Sequence, residues 1–385
     1  MAKRILLLGA SGSIGSQTIS VIQKYCNDFE LVGISVNSRT RKIPNIIKHH
    51  PSIKAVVLGD KSRLSYFVKK YPHIKFFVGE EGLCKIIPYL QPEMMVNALV
   101  GFVGLKPTIE AIKLNVKVAL ANKESLVVGG ELVNKLLKKY KGTLYPIDSE
   151  HSALWKCLKV DDNNVDKLVI TASGGAFRNY DRKDLTNVTK EDALKHPTWK
   201  MGEKITIDCA TMVNKAFEII EAYYLFDYSF DRIQVLLHDE SMIHSMVKYK
   251  DGLYRADINH PDMKNPIKFA LFEGNFDYKT FVSDDYHKFG DYHFHEFISS
   301  RYPSVKYAEK VIKEKGTYGA VFNASNEEAN LAFREGKIGF LDIDKIIAIL
   351  MDKHINKPHP TLNQIIKCDK QTRNEVKLLI KKGGY

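Results

Sequence analysis

The sequence has few cysteines and no long apolar run. Its five cysteines are scattered over 385 residues and include no C-x-x-C pair. This spacing argues against a disulfide framework or a zinc site, and favours reduced thiols in a cytoplasmic protein. No apolar stretch approaches the roughly 20 residues that a membrane-spanning helix needs. Because Met1-Ala2-Lys3-Arg4 leads directly into an apolar run, we expect no secretory leader and no membrane partner.

The excess of basic residues does not predict a nucleic-acid-binding protein. The formal net charge is +12, but Lys and Arg alternate with acidic residues, and no known nucleic-acid-binding module is recognisable. A generally positive protein attracts anionic small molecules such as dinucleotides and phosphorylated substrates. We therefore expect small-molecule ligands and no nucleic-acid partner.

Apolar runs alternate with helix-like segments over the first 145 residues, a pattern typical of a parallel, doubly wound α/β sheet. Two of the helices are predicted at Ser16–Tyr25 and Glu124–Tyr140. The predicted strands are Ile5–Leu8, Leu31–Val36, Ala55–Leu58, Lys75–Val78, Met94–Asn97, Lys117–Leu120 and Thr143–Tyr145.

The rest of the chain divides into a mixed region and a helical tail. Strands are predicted at Lys167–Thr171, Ile233–His238 and Ser245–Tyr249, and the polar, aromatic stretch from Asp284 to Glu296 is typical of a linker. From Val305 onward, helices are interrupted by glycine and proline. The predicted parts are a Rossmann-like α/β nucleotide domain at 1–148, a central α/β catalytic domain at 149–285, a linker at 286–303 and a small helical domain at 304–385.

A glycine-rich turn follows the first predicted strand, with Gly9, Gly12 and Gly15 spaced G-x-x-G-x-x-G. Glycines at such a turn let the backbone approach a pyrophosphate, and the following helix N-terminus supplies free N–H groups. The generic dinucleotide fingerprint is G-x-G-x-x-G. A tight turn in another kind of α/β protein is therefore the alternative.

The residues after the second strand favour NADPH over NADH. An NAD enzyme usually carries Asp or Glu here to bind the ribose 2′-hydroxyl. This chain has Asn37-Ser38-Arg39-Thr40-Arg41-Lys42 and no acidic residue. Arg39 could make forked, charge-assisted hydrogen bonds to a 2′-phosphate. For Arg41 and Lys42, a solvated basic helix start is the alternative.

Acidic residues at two places in the chain predict a site for a hard divalent cation. If the chain is extended at Asp148 and Glu150, these residues share a face, and oxygen ligands suit Mg²⁺ or Mn²⁺. A solvated acid pair is the alternative. On a helix, Asn214 and Glu218 would share a face beside Lys215, a combination that could hold a phosphate next to a metal. An ordinary amphipathic helix is less favoured, because apolar residues surround these polar ones.

Taken together, the motifs resemble the 1-deoxy-D-xylulose 5-phosphate reductoisomerase family over the whole chain. The motifs that carry this resemblance follow one another in order: Gly9–Gly15, Ala121–Ser125, Asp148–Ser152, Ser173–Arg178, His196–Gly202, Ala210–Glu218, Ile243–Val247, Pro261–Met263 and Asn323–Glu327. The resemblance implies a metal-dependent rearrangement of 1-deoxy-D-xylulose 5-phosphate. NADPH then reduces the product to 2-C-methyl-D-erythritol 4-phosphate, in isoprenoid precursor biosynthesis. The resemblance also implies that the protein is a homodimer.

The resemblance further implies roles for individual residues. Asp148, Glu150 and Glu218 would bind Mg²⁺ or Mn²⁺, and a flexible flap at about 173–203 would cover the substrate. Residues placed at or near the chemistry are Lys123, Glu150, His151, His196 and His244. Residues expected to contact the substrate are Lys123, Ser149, Glu150, Ser173, His196, Trp199, Met201, Cys209, Asn214, Lys215 and Glu218. Residues expected from the resemblance to contact NADPH are Gly9, Ser11, Gly12, Ser13, Ile14, Asn122, Glu124 and Gly202. Asn37, Ser38 and Arg39 are added from their chemistry alone.

Two positions depart from the family pattern. Cys209 stands where the family usually has serine, and a thiol is a poor donor to a phosphate oxygen, so the backbone N–H is the expected donor there. The stretch Val36-Asn37-Ser38-Arg39 replaces the usual Ala-Gly-x-Asn. The 2′-phosphate contacts are therefore predicted from chemistry.

Two rival functions remain at this stage. A plain NADP-dependent dehydrogenase would keep the fold without the rearrangement, but would leave Asp148, Glu150 and Glu218 without a joint purpose. A dinucleotide-sensing or nucleic-acid-binding protein would bind DNA with a steep salt dependence and would turn over no sugar phosphate.

Overall fold

The structure, a computed structural model, describes residues 1–275, 290–383 and 385. These residues form two compact units. The first is built from residues 1–125, 133–148 and 263–275, and the second from 126–132, 149–262 and the described residues from 290 onward. The predicted division into three domains with a linker at 286–303 stays a prediction, and residues 286–289 of that linker lie outside the described residues.

The described chain alternates strands and helices up to residue 271 and is mainly helical after residue 304. The strands are β1 Lys3–Leu8, β2 Phe29–Val36, β3 Ala55–Leu58, β4 Lys75–Val78, β5 Met94–Asn97, β6 Lys117–Leu120, β7 Leu144–Pro146, β8 Val165–Ala172, β9 Ile233–His238, β10 Ile243–Tyr249, β11 Tyr254–Ile258 and β12 Phe294–Glu296. The α-helices are α1 Ser13–Lys24, α2 Ile43–His49, α3 Leu64–Lys70, α4 Gly79–Leu90, α5 Leu105–Lys113, α6 Glu124–Tyr140, α7 Ser149–Val160, α8 Lys190–Ala193, α9 Glu203–Ala210, α10 Val213–Phe226, α11 Lys264–Leu271, α12 Ser304–Glu314, α13 Tyr318–Arg334, α14 Phe340–Lys353 and α15 Leu362–Lys382.

The first unit contains a seven-stranded sheet in the order β4-β3-β2-β1-β5-β6-β7. All of its strand pairs are parallel, which confirms the predicted Rossmann-like sheet. Ile5–Leu8 of β1 are fully buried, as expected for a central strand covered on both faces. The strand order reverses between β1 and β5. Ligands of such sheets bind beyond the carboxyl ends of the strands at this switch point.

The second unit contains a five-stranded sheet in the order β11-β10-β8-β9-β12. It is mixed, since β8 and β9 are parallel while β10 runs antiparallel to both β8 and β11. β12 pairs with β9, so residues 294–296, which lie within the stretch predicted as a linker, form a strand of this sheet. The Phe294 ring stacks on His238 at 4.7 Å between centroids, and this packing gives the aromatic residue a structural place.

The helical tail predicted from Val305 onward is confirmed by α12 to α15. Within residues 1–275 and 290–383, no helix combines the length and apolarity that crossing a membrane requires.

The segment of residues 263–275 returns to the first unit, which the sequence analysis did not predict. Its Glu273 carboxylate accepts hydrogen bonds from Lys3 (2.6 Å), Lys117 (2.7 Å) and Tyr145 (3.0 Å). Burial acts to raise the pKa of Glu273, but the hydrogen bonds from Lys117 and Lys3 outweigh burial and lower it to about 2. This carboxylate therefore fastens α11 to the strands of the parallel sheet.

Candidate active site

The glycine-rich turn lies at the switch point of the parallel sheet. Gly9 has φ +87°, and a Cβ there would lie 2.4 Å from the carbonyl oxygen of Ala98. Gly15 is equally confined, since its Cβ would lie 2.2 Å from the Gly9 oxygen. The Gly9 N–H donates to Ser35 Oγ at 2.8 Å. The turn is thus held tightly, and α1 begins directly after Gly12 with its first N–H groups available to an anion.

The basic stretch after β2 faces solvent next to this turn. Asn37, Ser38 and Arg39 are exposed, so all three can reach a ligand in solution. Lys42 Nζ donates to the carbonyl oxygen of Ser11 at 3.1 Å. Lys42 therefore lies against the glycine-rich turn, where its charge adds to the field at a bound phosphate. The sequence analysis left its role open between cofactor contact and solvated helix start.

Asn122 and Glu124 lie after β6, in the interior of the first unit. Asn122 is fully buried, and its Nδ2 lies within 3.0 Å of the carbonyl oxygens of Leu99 and Gly101 and of Glu124 Oε2. The amide is thus engaged in holding the loop after β5. A direct contact of Asn122 or Glu124 with NADPH stays a prediction.

Lys123 and Asp148 form an ion pair in the first unit, with Nζ and Oδ2 2.6 Å apart. Both side chains are mostly buried, at 9% and 11% exposed. Asp148 is the last residue of this unit before the chain enters α7. The chain thus places one predicted metal ligand beside a predicted catalytic lysine.

The expectation of an extended chain through Asp148 and Glu150 is wrong. α7 begins at Ser149, so Asp148 precedes the helix and Glu150 lies in its first turn. Side chains on a helix project about 100° apart per residue. The two carboxylates therefore do not share a face in the way that an extended chain would provide. Whether they bind one cation depends on the backbone conformation at the start of α7.

Glu150 and Glu218 converge in the second unit around one lysine. A carboxylate oxygen of each lies within 4.8 Å of the other. Lys215 Nζ lies 3.2 Å from Glu150 Oε1, contacts Glu218 Oε2 and donates to the Thr171 carbonyl oxygen at 2.6 Å. Asn214 Nδ2 donates to Glu218 Oε1 at 2.6 Å, as their i,i+4 spacing on α10 predicts. Carboxylate oxygens are the donors that Mg²⁺ and Mn²⁺ prefer, so these two glutamates suit a hard divalent cation.

His151 and Glu221 lie next to this cluster. The sequence analysis did not predict a role for Glu221. His151 is fully buried, with Nε2 2.9 Å from the Glu218 carbonyl oxygen and Nδ1 3.4 Å from Glu221 Oε2. The imidazole therefore braces the backbone of α10 at the residue that carries a predicted metal ligand. The sequence contains a signal for Glu221. It is an acidic residue one helical turn after Phe217 and Glu218, in a mainly apolar part of α10, where an acidic side chain needs a partner.

Ser173 and His196 meet in the second unit although 23 residues separate them. His196 Nδ1 accepts the backbone N–H groups of Thr198 and Trp199 at 3.2 and 2.9 Å. Its Nε2–H must therefore be the donor to Ser173 Oγ, at 3.0 Å. Burial, with a contribution from the Arg178 charge, lowers the pKa of His196 to about 4. The neutral imidazole thus connects two parts of the predicted flap, the loop that follows β8 and the segment at residues 196–199.

Cys209 lies in the last turn of α9, against Gly175. A Cβ on Gly175 would lie 2.7 Å from the Cys209 carbonyl oxygen, and Gly175 has φ +69°. Because Cys209 lies inside α9, its N–H belongs to the helical hydrogen-bond ladder. A backbone contact from Cys209 to phosphate would have to compete with this helical hydrogen bond, and the predicted contact of Cys209 with the substrate stays a prediction.

The rings of His244 and Trp199 lie 6.0 Å apart between centroids, tilted by 54° relative to one another. Burial lowers the pKa of His244, and the opposing charge of Asp257 reduces this effect. Met201 and Gly202 follow Trp199, and Gly202 is the residue before α9. Their predicted contacts with substrate and cofactor stay predictions, as does the motion of the flap.

Comparison with known proteins identifies the family. A family model of 1-deoxy-D-xylulose 5-phosphate reductoisomerase matches residues 5–130, and two models of reductoisomerase C-terminal domains match residues 144–226 and 258–375. The chain belongs to the 1-deoxy-D-xylulose 5-phosphate reductoisomerase family. The resemblance predicted from the sequence motifs is thereby confirmed.

Relatives of this name match the reductoisomerase chain over nearly all its length. The enzyme of Caldanaerobacter subterraneus subsp. tengcongensis is 42% identical, with 97% of this chain and 98% of the relative covered. The enzyme of Listeria monocytogenes serotype 4b is 40% identical, with 98% and 100% covered.

Solved reductoisomerase structures match the whole fold. The structure from Zymomonas mobilis in complex with NADPH has a TM-score of 0.90 at 33% identity, with 99% of each chain covered. A DOX-P reductoisomerase structure in complex with NADPH, fosmidomycin and magnesium has a TM-score of 0.91 at 32% identity, with 98% of each chain covered.

Proposed function

We propose that this chain is an NADPH- and divalent-cation-dependent enzyme of isoprenoid precursor biosynthesis. It rearranges 1-deoxy-D-xylulose 5-phosphate and reduces the product to 2-C-methyl-D-erythritol 4-phosphate. The observation that carries the proposal is the convergence of Glu150 and Glu218 on Lys215, in a chain 42% identical to a reductoisomerase over nearly its full length. A plain dehydrogenase would have no use for this carboxylate pair, of which Glu218 is buried and Glu150 partly buried.

Glu150 and Glu218 are proposed as ligands of Mg²⁺ or Mn²⁺, with Asp148 as the third. Asp148 joins them because the chain places it immediately before α7. The cation, when bound, stabilises negative charge on the oxygens of the rearranging carbon skeleton. Glu150 is also a candidate acid or base, and Lys123 can hold or relay a proton at a substrate hydroxyl; general catalysis of this kind contributes roughly 10²–10⁴-fold.

The substrate phosphate is proposed to bind at the loop after β8 and the start of α10. Ser173, Asn214 and Lys215 offer a hydroxyl, an amide and an ammonium group, and Cys209 lines the loop. Since His196 Nε2–H donates to Ser173 Oγ, the hydroxyl hydrogen of Ser173 can point to a phosphate oxygen. Phosphate binding remote from the reacting carbons supplies energy for orienting them.

Trp199 and Met201 are proposed to cover the bound substrate and keep water from it, with His196 at the start of the flap. Water exclusion strengthens the electrostatic contacts at the reacting atoms. His151 and His244 are proposed to shape the site. Ser149, next to Glu150, would contact a substrate hydroxyl.

NADPH is proposed to bind at the carboxyl ends of β1 and β2. Its pyrophosphate would meet the backbone at Gly9, Ser11, Gly12, Ser13 and Ile14, and its 2′-phosphate would meet Asn37, Ser38 and Arg39. Asn122, Glu124 and Gly202 complete the proposed contacts. We add Lys42, because its ammonium group already lies against the Ser11 carbonyl oxygen.

A cytoplasmic homodimer is the proposed state of the enzyme. β11 is one of the two outer strands of the described five-stranded sheet; Tyr254 at its start and Leu253 just before it are 55% and 67% exposed. An exposed apolar edge strand pairs readily with another strand. A second copy of the chain is the proposed partner at this edge. None of the five cysteines, all of which lie in the described residues, forms a disulfide, which supports a reducing compartment.

The deciding experiment is an NADPH oxidation assay with 1-deoxy-D-xylulose 5-phosphate. We expect activity with Mg²⁺ or Mn²⁺, loss of activity in EDTA, and recovery when the cation is restored. Chromatography of the product should show 2-C-methyl-D-erythritol 4-phosphate. NADPH oxidation that persists in EDTA, or a product with an unchanged carbon skeleton, would favour the plain dehydrogenase.

A further inference from the structure

The motif Asn323–Glu327 has no role in the proposed chemistry, yet part of it lies in a buried polar cluster. Asn326 and Asn330, both on α13 and fully buried, donate through Nδ2 to Asp208 Oδ1 at 2.9 and 2.8 Å. Asp208, on α9, is 2% exposed, and its other oxygen lies 3.0 Å from Lys204 Nζ. Burying a carboxylate is costly unless it is paired and hydrogen-bonded, and these contacts meet that requirement.

The cluster lies directly behind the proposed phosphate site. Asp208 immediately precedes Cys209, whose carbonyl oxygen closes against Gly175 in the loop that carries Ser173. Three residues after Ala210 the chain enters α10, which carries Asn214 and Lys215. The position of α9 therefore affects the loop that carries Ser173, against which the Cys209 carbonyl oxygen packs. It also affects the position of the start of α10, which supplies two proposed phosphate ligands.

The corner between α9 and α10 requires such support, because its backbone is strained. Met212 is a buried non-glycine residue with φ +61°. Conformations of this kind persist only where the surroundings over-determine them. The corner is also held by Ser304, whose hydroxyl donates to the Thr211 carbonyl oxygen at 3.2 Å. Asp208 and Ser304 thus connect the corner to the C-terminal helices.

We infer that Asp208, held by Asn326 and Asn330, is a positioning residue for substrate phosphate binding. It acts by keeping α9 and the corner after it in the geometry that Ser173, Asn214 and Lys215 need. The C-terminal helices thereby contribute to substrate affinity without touching the substrate. This inference rests on the proposed function for the identity of the substrate, but not for the binding of phosphate itself.

The test compares Asp208→Ala and Asn326→Leu with Asp208→Asn. The asparagine variant keeps an oxygen that can accept both amide hydrogen bonds and loses only the Lys204 pair. Asp208→Ala should raise the KM for 1-deoxy-D-xylulose 5-phosphate by about tenfold or more, and weaken binding of inorganic phosphate in calorimetric titration by a similar factor. Asn326→Leu should change both in the same direction, and Asp208→Asn should recover most of the loss. The KM for NADPH should stay within about twofold of wild type in all three.

Asp369→Asn is the matched control. Asp369 is also a buried carboxylate of a helix in the second unit, but it pairs with Arg373, 2.8 Å away on α15. It should lower thermal stability and leave KM and phosphate affinity unchanged. The inference is overturned if Asp208→Ala keeps normal phosphate affinity, or if Asp369→Asn weakens it equally. Should Asp208→Ala fail to fold, the result for Asn326→Leu decides. A wild-type chain that binds phosphate but does not turn over the sugar phosphate would contradict the proposed function alone.

Discussion

Lys215 illustrates at the scale of single residues how the second unit keeps two glutamates together. An ammonium group in contact with Glu150 and Glu218 reduces the repulsion between two carboxylates that would otherwise disfavour their approach. The three side chains together still carry a net charge of −1. The cluster therefore still attracts a cation. If Lys215 also binds the substrate phosphate, as proposed, the bound cation and the phosphate would lie close to one another.

The metal ligands make the first residue-scale prediction. Glu218→Gln and Asp148→Asn should each reduce turnover by about 100-fold or more, since even residues that only support metal ligands are worth 10–100-fold. NADPH binding, measured by fluorescence titration, should be nearly unchanged. Asp166→Asn, which alters a surface pair with Lys248, is the control and should behave as wild type. Normal turnover combined with weakened NADPH binding in either variant would contradict the assignment.

Arg39 makes the second residue-scale prediction, on cofactor preference. Arg39→Ala removes the proposed partner of the 2′-phosphate, and hydrogen bonds to charged groups are typically worth 1.5–3 kcal/mol. The ratio of kcat/KM for NADPH over NADH should therefore fall by about tenfold or more. Arg63→Ala, which removes another exposed arginine of the first unit, should leave the ratio unchanged. An unaltered ratio in Arg39→Ala would remove Arg39 from the cofactor site.

At the scale of secondary-structure elements, the first unit depends on a segment that is distant in sequence. α11 packs against α1 and the sheet, with Phe272 in edge contact with the rings of Tyr25 and Phe29. Glu273, just after α11, has φ +58° and still accepts hydrogen bonds from three side chains. These three hydrogen bonds connect the segment to β1, β6 and β7, so α11 is an integral part of the first unit.

Glu273 therefore makes the stability of the fold depend on pH. Its pKa is lowered from the ordinary value of 4.5 to about 2, so the folded state favours the ionised form. The stabilisation is fully present above pH 4.5 and is lost as the pH falls toward 2. Glu273→Gln should lower the free energy of unfolding by about 2 kcal/mol at neutral pH and flatten its fall between these two pH values, measured by urea denaturation.

Glu80→Gln serves as the control for this prediction, because Glu80 is an exposed carboxylate of the same unit. Its substitution should leave both the stability and its pH dependence close to wild type, as most surface substitutions do. A Glu273→Gln variant with the wild-type pH profile would show that the three hydrogen bonds contribute nothing to the acid sensitivity of the fold.

At the scale of the whole molecule, each unit contributes a different part of the chemistry. The parallel sheet of the first unit presents the glycine-rich turn and the exposed basic stretch. The second unit brings together the glutamate pair, the loop after β8 and the flap residues. The proposed metal ligands Glu150 and Glu218 belong to the second unit, and Asp148 is the residue at which the chain leaves the first unit before Ser149.

The outer strand β11 carries the prediction on assembly. Leu253→Lys with Tyr254→Lys should shift the protein from dimer to monomer in sedimentation equilibrium, because charges at a strand edge oppose pairing with another strand. Leu378→Lys, which places a charge at another exposed leucine, on α15, should leave the assembly unchanged. If the double variant sediments as the wild type does, β11 is not the interface.

Local patterns in the sequence predicted most of the first unit. The strands Ala55–Leu58, Lys75–Val78, Met94–Asn97 and Lys117–Leu120 have the predicted bounds, since short apolar runs between helical segments are typical of buried parallel strands. Glu124–Tyr140 also has its predicted bounds, but Gly129 inside it departs from helical dihedrals. Residues 126–132 belong to the second unit, a division that no local pattern encodes.

The chemistry of the site follows from residue types and motif order, which the sequence alone contains. The sequence predicted these site residues because their side chains can bind a hard cation, bind a phosphate or transfer a proton, and because their motifs follow one another as in the family. They include Lys123, Glu150, Ser173, Lys215 and Glu218. Spatial relations required the tertiary structure. The helix that begins at Ser149 could not be predicted because local patterns do not fix where an element begins. The other findings join residues far apart in sequence: Glu273 contacts the first sheet, His196 pairs with Ser173, and Asp208 is buried against α13. Sequence periodicity reports which face of an element is buried, but it does not report which distant side chain completes a hydrogen bond there.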